Sequence, residues 1–173
     1  MNTMDAILTR RSVRKFSEKP ISEETLQQIL AAAQAGPTAV NAQDWFFIVV
    51  RDKETLKKMA EVNGQAAHML PDADMGILVC GDKERSHADY WVVDASIAAQ
   101  NICLAAHALG LGAVWLGTWP QEHKVTGQAA LFSLPEHAVP HSIIALGHIA
   151  EDFVPRERKL REDGEARVHY EKW

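Results

Sequence analysis

The sequence predicts an α+β fold in which helices pack against a small sheet. Four short apolar, β-rich runs are interspersed with helical patterns, in the order helix, helix, strand, helix, strand, long helix, strand, helix, strand. No strand is followed by the glycine-rich turn and helix of a doubly wound dinucleotide-binding domain. The chain has 173 residues, 47% of them hydrophobic, which is enough for one core and too few for two ordinary domains. We therefore treat residues 1–173 as a single domain.

Two helices precede the first strand. Residues 4–10 are predicted to form the first helix, with Thr3 as its N-cap residue. Ser22 is placed to cap the second helix. Apolar residues between positions 26 and 33 recur there at helical spacing, so one face of this helix is expected to be buried. The Gly-Pro pair at 36–37 ends it.

The middle of the chain contains two predicted strands separated by a helix. Residues 45–50, WFFIVV, are continuously apolar and β-rich, which predicts a strand buried on both faces. Asp52 is placed to cap a helix that ends near Val62. Residues 75–81, MGILVCG, predict a second buried strand.

The longest predicted element is a helix from Tyr90 to Leu109. It is apolar or small on almost all sides, which is typical of a helix at the centre of a domain or at a subunit interface. Two further strands are predicted at 112–117 and 142–149, with a short helix near 122–132 between them.

The tail from Glu151 onward is polar but ends in VHYEKW. Aromatic residues are of little use in a solvated tail, so Tyr170 and Trp173 are expected to dock on another surface.

The composition excludes several classes of partner. The formal net charge is −5, and an acidic protein is a poor general ligand for nucleic acid. No apolar run is long enough to span a membrane, and the N-terminal stretch has no signal-peptide core, so a cytoplasmic protein is expected. Cys80 and Cys103 lie in apolar stretches and fit reduced, buried thiols, although the sequence does not exclude a pair. The eight histidines lack metal-ligand spacing.

The segment TRRSVRKF, residues 9–16, concentrates positive charge in this acidic chain. It carries Arg10, Arg11, Arg14 and Lys15 beside two hydroxyl groups. One interpretation is a solvated basic patch. The other is a set of side chains that converge on an anion, most readily a phosphate, because guanidinium groups bind phosphate oxygens in a bidentate way.

Four segments taken together resemble the nitroreductase family of flavoproteins. They are RRSVRKF at 10–16, AGPTAVNAQDWFFIVV at 35–50, LGLGAVWLGTWP at 109–120 and FVPRERKL at 153–160. The resemblance implies a mostly antiparallel sheet and an intertwined homodimer with a long buried central helix. It also implies that the C-terminal arm, residues 151–173, docks on the partner. The implied cofactor is noncovalently bound FMN, with NADH or NADPH as a dissociable reductant, and both active sites are shared between subunits.

The resemblance also implies roles for individual residues. Arg10 and Ser12 would face the phosphate and ribityl end of FMN, with Arg11 beside them and Arg14 toward the pyrimidine edge. Arg156 and Arg158 match the family's second pair of phosphate-binding cations. The remaining implied contacts are Pro37, Thr38, Ala39 and Asn41 from the partner subunit, Leu116 and Gly117 against the ring with the Gly117 N–H directed at N5, and Gln65 and His68 over the pyrimidine.

Two of these positions depart from the family pattern. Ala39 stands near the place where the family usually has a serine, so one hydrogen bond would be missing. His68 stands where a lysine is expected, which would make the charge there dependent on pH.

The implied reaction passes hydride from NAD(P)H through flavin N5 to an electron-poor small molecule, such as a nitroaromatic or a quinone, by a ping-pong mechanism. No side chain is nominated as a catalytic acid or base, and the protons are expected from water. Three alternatives remain open at this point. They are a flavoenzyme of the same fold that performs reductive dehalogenation or flavin fragmentation, a non-catalytic FMN or anion carrier, and a structural protein with solvated arginines.

Overall fold

The computed structural model describes residues 1–157 and 167–173, and within these ranges it contains five α-helices and four β-strands. Their order along the chain is the predicted one, and the α+β class is confirmed. The helices are α1 (Thr3–Thr9), α2 (Glu23–Gln34), α3 (Lys53–Asn63), α4 (Trp91–Ala108) and α5 (Glu122–Leu131), and the strands are β1 (Trp45–Val50), β2 (Met75–Asp82), β3 (Leu111–Gly117) and β4 (Ala138–His148).

The four strands form one sheet in the order β1-β2-β4-β3, and every pair is antiparallel. The mostly antiparallel sheet that was expected is therefore confirmed. Alternate residues of β2 enter different clusters, because successive side chains of a strand point to opposite faces. Ile77 packs in a cluster with α2 and α4, whereas Leu78 packs in a cluster with α3. Helices thus cover both faces of the sheet.

The prediction that β1 is buried on both faces is wrong. Only Val50 of its six residues is buried, and Phe46 is 41% exposed. The physical reason is the position of β1 at one edge of the sheet, where it has a neighbouring strand on one side only. An uninterrupted apolar run has the same sequence pattern in a central strand and in an edge strand, so the pattern could not distinguish them.

The predicted helix caps are correct at two helices of three. The Ser22 hydroxyl accepts a hydrogen bond from the Thr25 N–H at 3.1 Å, and Asp52 caps α3 in the same way. At α1 the cap is Asn2, whose side-chain oxygen accepts from the Asp5 N–H at 2.9 Å, and Thr3 is the first residue of the helix. Both residue types serve as N-caps, which explains the shift by one position.

Helix α4 is buried on the side that faces the sheet and α2. Eight of its 18 residues are buried, among them Ala99 and Ile102. Val93, at 49% exposure, lies on the opposite side, so one chain does not bury the helix all round. The helix ends as the sequence suggested, with Gly110 in the left-handed region at φ 77°.

Both cysteines are free and buried, and burial raises the pKa of Cys80 to about 12 and that of Cys103 to about 11. Within residues 1–157 and 167–173, no helix is long and apolar enough to cross a membrane. Tyr170 and Trp173 are fully or largely exposed in the single chain, so their docking on another surface stays a prediction.

Candidate cofactor site

The basic segment lies along the outer edge of β3. Ser12 pairs with Ala113 in a parallel bridge, and the Val13 N–H donates to the Ala113 carbonyl at 2.9 Å. Gly112 permits this approach, because a Cβ atom there would lie 2.6 Å from Cγ1 of Val13. The segment that the sequence left irregular is therefore held as a short addition to the sheet.

The chain beyond β4 returns to the same place. The Ala150 N–H donates to the Lys15 carbonyl at 3.2 Å, and Lys15 forms an ion pair with Asp152. Farther along, Nε of Arg11 donates to the carbonyl oxygen of Arg156 at 3.3 Å. Arg11 and Arg156, 145 residues apart in sequence, thus meet.

Between these two segments lies an open cleft of about 660 Å³. Guanidinium groups and one hydroxyl dominate its polar lining, a set of donors suited to phosphate oxygens. The structure therefore brings together four of the five residues predicted for the phosphate end, with Arg14 beside them, and the fifth, Arg158, lies outside the described residues. The cleft is lined by Arg10, Arg11, Ser12, Arg14, Phe153, Val154, Arg156 and Glu157.

His107, near the C-terminal end of α4, adjoins this cleft. Its Nε2 lies 2.8 Å from the hydroxyl oxygen of Thr9. Burial lowers the pKa of His107, and the positive charges of Arg10 and Arg11 lower it further. The side chain is thus close enough to the cleft for the arginines to affect its pKa, and no sequence pattern singled it out.

Gly117 ends β3 with its backbone groups directed away from the sheet. The Thr118 N–H donates to the His141 carbonyl at 3.2 Å, so residue 118 occupies a hydrogen-bonded position of the β3–β4 ladder. Along an antiparallel strand, residues bonded to the neighbouring strand alternate with residues whose N–H and C=O point away from it. The N–H and C=O of Gly117 consequently point to the open edge. The face of the sheet at Gly117 is open as well, since a Cβ there would have no atom within 4 Å.

The open edge of β3 joins Gly117 to the cationic cleft. Ala113, which binds the basic segment, is four residues from Gly117, a distance of about 13 Å along a strand. Leu116 lies between them, but its side chain is buried in the core, so only its backbone is available to a ligand at the edge.

A buried amide, which the sequence analysis missed, holds the Gly117 backbone. Asn63, the last residue of α3, donates from Nδ2 to the Gly117 carbonyl at 3.1 Å. The Thr118 hydroxyl donates to Oδ1 of the same amide at 3.0 Å. No signal in the sequence pointed to it, because an asparagine at the end of an amphipathic helix and before a glycine is usually exposed.

Gln65 and His68 lie on the turn that follows this amide. The turn spans Gln65–Ala67 after Gly64, whose φ is 79°. His68 is exposed, and its Nδ1 is 3.1 Å from the Gln65 carbonyl oxygen. Because Asn63 binds Gly117, this turn is attached to the same end of β3.

The segment from Pro37 to Asn41 forms a strained turn at the other end of α4. Asn41 has a positive φ of 57°, as does its neighbour Val40 at 49°. The Thr38 hydroxyl accepts from the Gln43 N–H at 3.0 Å, and the Ala39 N–H donates to Oδ2 of Asp94 at 2.9 Å. Pro37 and Asn41 are exposed.

Two buried carboxyl groups support this turn. Asp94 is 2% exposed and Asp44 is fully buried. No partner of the Asp44 carboxyl oxygens is present in the part of the chain that is described. Burial, and next the neighbouring Asp44, raise the pKa of Asp94. Sequence reasoning selected neither residue.

Within one chain the Pro37–Asn41 turn does not meet the rest of the predicted site. It is bound at Asp94, whereas the cleft adjoins His107, 13 residues farther along α4 and so about 20 Å away. The turn also leads into β1, at the opposite edge of the sheet from the open edge of β3.

An α+β protein with a cationic cleft and an outward-facing backbone N–H along one sheet edge is suited to an elongated ligand with an anionic end. Comparison with known proteins identifies the family of the chain. The chain matches the family model "Nitroreductase family" over residues 7–71 and 62–148. It belongs to the nitroreductase family and is an oxidoreductase of that kind, as the sequence resemblance implied.

The individual relatives extend over the whole chain. A "Putative NADH dehydrogenase/NAD(P)H nitroreductase" of Methanothermobacter thermautotrophicus is 48% identical and aligns with 100% of this chain and 88% of its own length. A protein of the same name from Parabacteroides distasonis has a crystal structure with a TM-score of 0.90 at 33% identity, covering 100% of both chains. "A putative nitroreductase in complex with FMN" from Desulfovibrio desulfuricans gives a TM-score of 0.79 at 32% identity, over 92% of this chain and 93% of that one.

Proposed function

We propose that this protein binds FMN noncovalently along the open edge of β3 and transfers electrons from NADH or NADPH to an electron-poor nitroaromatic or quinone. The observation that carries the proposal is the arrangement on that edge. A cleft lined by arginines lies at one end, and the outward N–H of Gly117 lies about 13 Å farther along. An anionic group and a flat ring joined by a short chain fit such an arrangement.

The residues present suit the cofactor at each point. Arg10, Ser12 and Arg156 would hold the phosphate, since charged and hydroxyl donors there face one cleft. Arg14 would lie nearer the pyrimidine edge, where a cation stabilises negative charge on a reduced ring. At Gly117 the absence of a side chain leaves room for a flat group against the backbone.

When bound, FMN supplies hydride acceptance and electron transfer, and the protein supplies position and electrostatics. The buried Asp44 and Asp94 carboxyl groups are out of reach of a substrate, so we nominate neither as a catalytic acid. His68 is exposed on the turn next to Gly117 and would add a charge over the pyrimidine only when protonated.

The proposal includes a homodimer in which each site is completed by the partner's Pro37–Asn41 turn. The separation of that turn from the cleft within one chain supports this arrangement. An uncovered apolar surface supports it too. Met4 is 59% and Leu8 56% exposed on α1, beside a mainly apolar cleft of about 350 Å³ between α1, α2 and α4. We expect a second copy of the chain to cover this surface, with the C-terminal arm docked on the partner.

The first test is the visible spectrum of the purified protein, with the released cofactor identified as FMN. Arg156→Ala should weaken FMN binding by roughly tenfold, because a hydrogen bond to a charged group contributes on the order of 1.5–3 kcal/mol. Lys57→Ala, which removes a positive charge from an exposed position of α3, is the matched control and should retain wild-type affinity. Equal affinity in wild type and Arg156→Ala would contradict the site.

Kinetics test the reaction itself. Initial rates at several concentrations of NADH and of a quinone should give parallel double-reciprocal lines, because both substrates use the same face of the cofactor. Intersecting lines would show that both bind at once and would contradict the ping-pong scheme. A protein that holds FMN but oxidises neither NADH nor NADPH would instead be an FMN carrier.

A further inference from the structure

Asn63 is a buried side chain whose two hydrogen bonds join it to the Gly117 backbone and to the Thr118 side chain. It is 1% exposed, and Thr118 is fully buried. Nδ2 donates to the Gly117 carbonyl at 3.1 Å, and Oδ1 accepts from the Thr118 hydroxyl at 3.0 Å. The amide is therefore satisfied at both ends, as a buried polar group needs to be.

The Gly117 carbonyl determines how the amide is oriented. A carbonyl oxygen accepts hydrogen bonds and cannot donate, so the nitrogen of the Asn63 amide has to face Gly117. The Thr118 hydroxyl then completes the pair by donating to the oxygen. The two side chains form a unit, which we call the Asn63–Thr118 clamp.

Gly117 is the residue of β3 that most needs such a clamp. Its N–H and C=O lie outside the β3–β4 ladder, and β3 ends at this residue. Glycine has the widest backbone freedom of any residue, so without an external bond the peptide group that follows Gly117 would sample several orientations. The Gly117 N–H belongs to the preceding peptide group, which Leu116 anchors in the β3–β4 ladder, and the Asn63 bond fixes the following one, so that both groups around the glycine Cα are held.

We propose that Asn63 is a positioning residue, which holds the Gly117 peptide so that its N–H faces the flavin ring. This rests on the proposed FMN site along the β3 edge. The clamp also ties the Gln65–Ala67 turn to the end of β3, because Asn63 precedes that turn by two residues. The Gln65–Ala67 turn and the end of β3 are both predicted to contact the ring, and the clamp fixes their positions relative to each other.

The test compares Asn63→Leu with Gln128→Leu. Gln128 is a matched control, because it is also a fully buried amide and donates from Nε2 to a backbone carbonyl, that of Met59, at 2.8 Å. Both variants lose a buried amide of the same kind, and only the first touches Gly117. The chain has ten glycines, so protein labelled with ¹⁵N-glycine gives a simple amide spectrum in which Gly117 is assigned through Gly117→Ala.

In the wild type, added FMN should move the Gly117 amide resonance. In Asn63→Leu that resonance should be displaced or broadened already without FMN. Flavin reduction by saturating NADH should be about tenfold slower, while FMN affinity, which depends on the distant cleft, changes less than threefold. Gln128→Leu should lower the melting temperature but keep the Gly117 resonance and a reduction rate within twofold of wild type.

Thr118→Val and Thr118→Ser provide a second comparison should Asn63→Leu fail to fold. The valine variant has nearly the same shape without the hydroxyl and should behave like Asn63→Leu, whereas serine keeps the hydroxyl and should restore the wild-type rate. An unchanged Gly117 resonance and reduction rate in FMN-loaded Asn63→Leu or Thr118→Val would overturn the clamp. Failure of the wild type to bind FMN would instead overturn the proposed function.

Discussion

The two parts of the proposed site are built in contrasting ways. The β3 edge carries half-buried and exposed arginines, and its cleft forms where two segments far apart in sequence meet. The Pro37–Asn41 turn depends on the buried Asp94 carboxyl group, and its bonds to Asp94 and Gln43 involve backbone N–H groups as donors. In the proposed site, one region would bind through charged side chains and the other through a backbone conformation that a buried side chain holds.

The contrast shows how each region should respond to change. At the β3 edge, removal of one charge should weaken ligand binding and leave the fold intact. At the Pro37–Asn41 turn, the exposed Asn41 side chain is expected to matter for the ligand, whereas Asp94 matters for the turn itself. The sharpest question is whether one ligand uses both regions from one chain or from two.

Complementation between two defective chains should have the largest effect. Arg10→Ala with Arg156→Ala removes the phosphate end, and Asn41→Ala removes the proposed partner contact. Each homodimer should lose at least about tenfold in NADH oxidation. A mixed dimer, purified with two different affinity tags, should regain about half the wild-type activity, because one site collects all the lesions and the other none. Mixed dimers no more active than their parents would contradict the shared site.

Gly112→Ala should disrupt the β3 edge and spare the Pro37–Asn41 turn. The new Cβ would lie 2.6 Å from Cγ1 of Val13 and push the basic segment away from β3. Overpacking of this kind costs about 1–3 kcal/mol, and FMN affinity should fall by roughly tenfold or more. Thermal unfolding and FMN titration measure both effects. The double variant Gly112→Ala with Val13→Ala relieves the overlap and should recover much of the affinity, and no recovery would argue against a steric cause.

Asp94→Asn should change how the stability of the protein depends on pH. The pKa of Asp94 is raised above its ordinary value of 3.8, so the folded state retains a proton that the unfolded chain releases. That contribution is full below the ordinary pKa and is lost as pH rises through the raised one. Asparagine keeps an acceptor for the Ala39 N–H without this dependence.

Melting temperatures of the two proteins from pH 4 to pH 8 check this expectation. The wild type should lose stability relative to Asp94→Asn as the pH rises, and activity should be kept in the variant. Asp94→Leu removes the acceptor of the Ala39 N–H, so it should disturb the Pro37–Asn41 turn and lower the activity. A difference between wild type and Asp94→Asn that is constant with pH would contradict a raised pKa.

The smallest effect concerns His107, next to the cationic cleft. Burial and then Arg10 and Arg11 lower its pKa. A bound anion offsets the two positive charges, so the pKa of His107 should rise when sulfate or FMN occupies the cleft. Nuclear magnetic resonance titration of the histidine rings measures this, and the exposed His123 on α5 serves as an internal control. Equal responses of both histidines would show that the anion does not reside in the cleft.

Much of this architecture was predictable because it depends on local patterns. The caps at Ser22 and Asp52, the apolar run of β2 and the glycine after α4 each identify an element from a few neighbouring residues. The residues proposed for the phosphate end could also be singled out, since an unusual density of arginines in an acidic chain is visible without a structure.

The rest depends on contacts that a sequence pattern does not encode. Asn63 and Thr118 are 55 residues apart, and neither is unusual for its type or its neighbours. Asp44 follows a polar turn and was indistinguishable from a solvated aspartate, although it is fully buried. The edge position of β1 is likewise a property of strand order, which follows from the whole chain.

The meeting of Arg11 with Arg156 has a consequence for biosynthesis. A ribosome makes the basic segment at the start of translation, but the other wall of the cleft emerges only after nearly the whole chain has been made. If FMN binds there as proposed, a nascent chain lacks one wall of the site, however well its early part has folded. Loading would then follow release, and chains that end before residue 150 would remain colourless and would not withdraw flavin from the cell's supply.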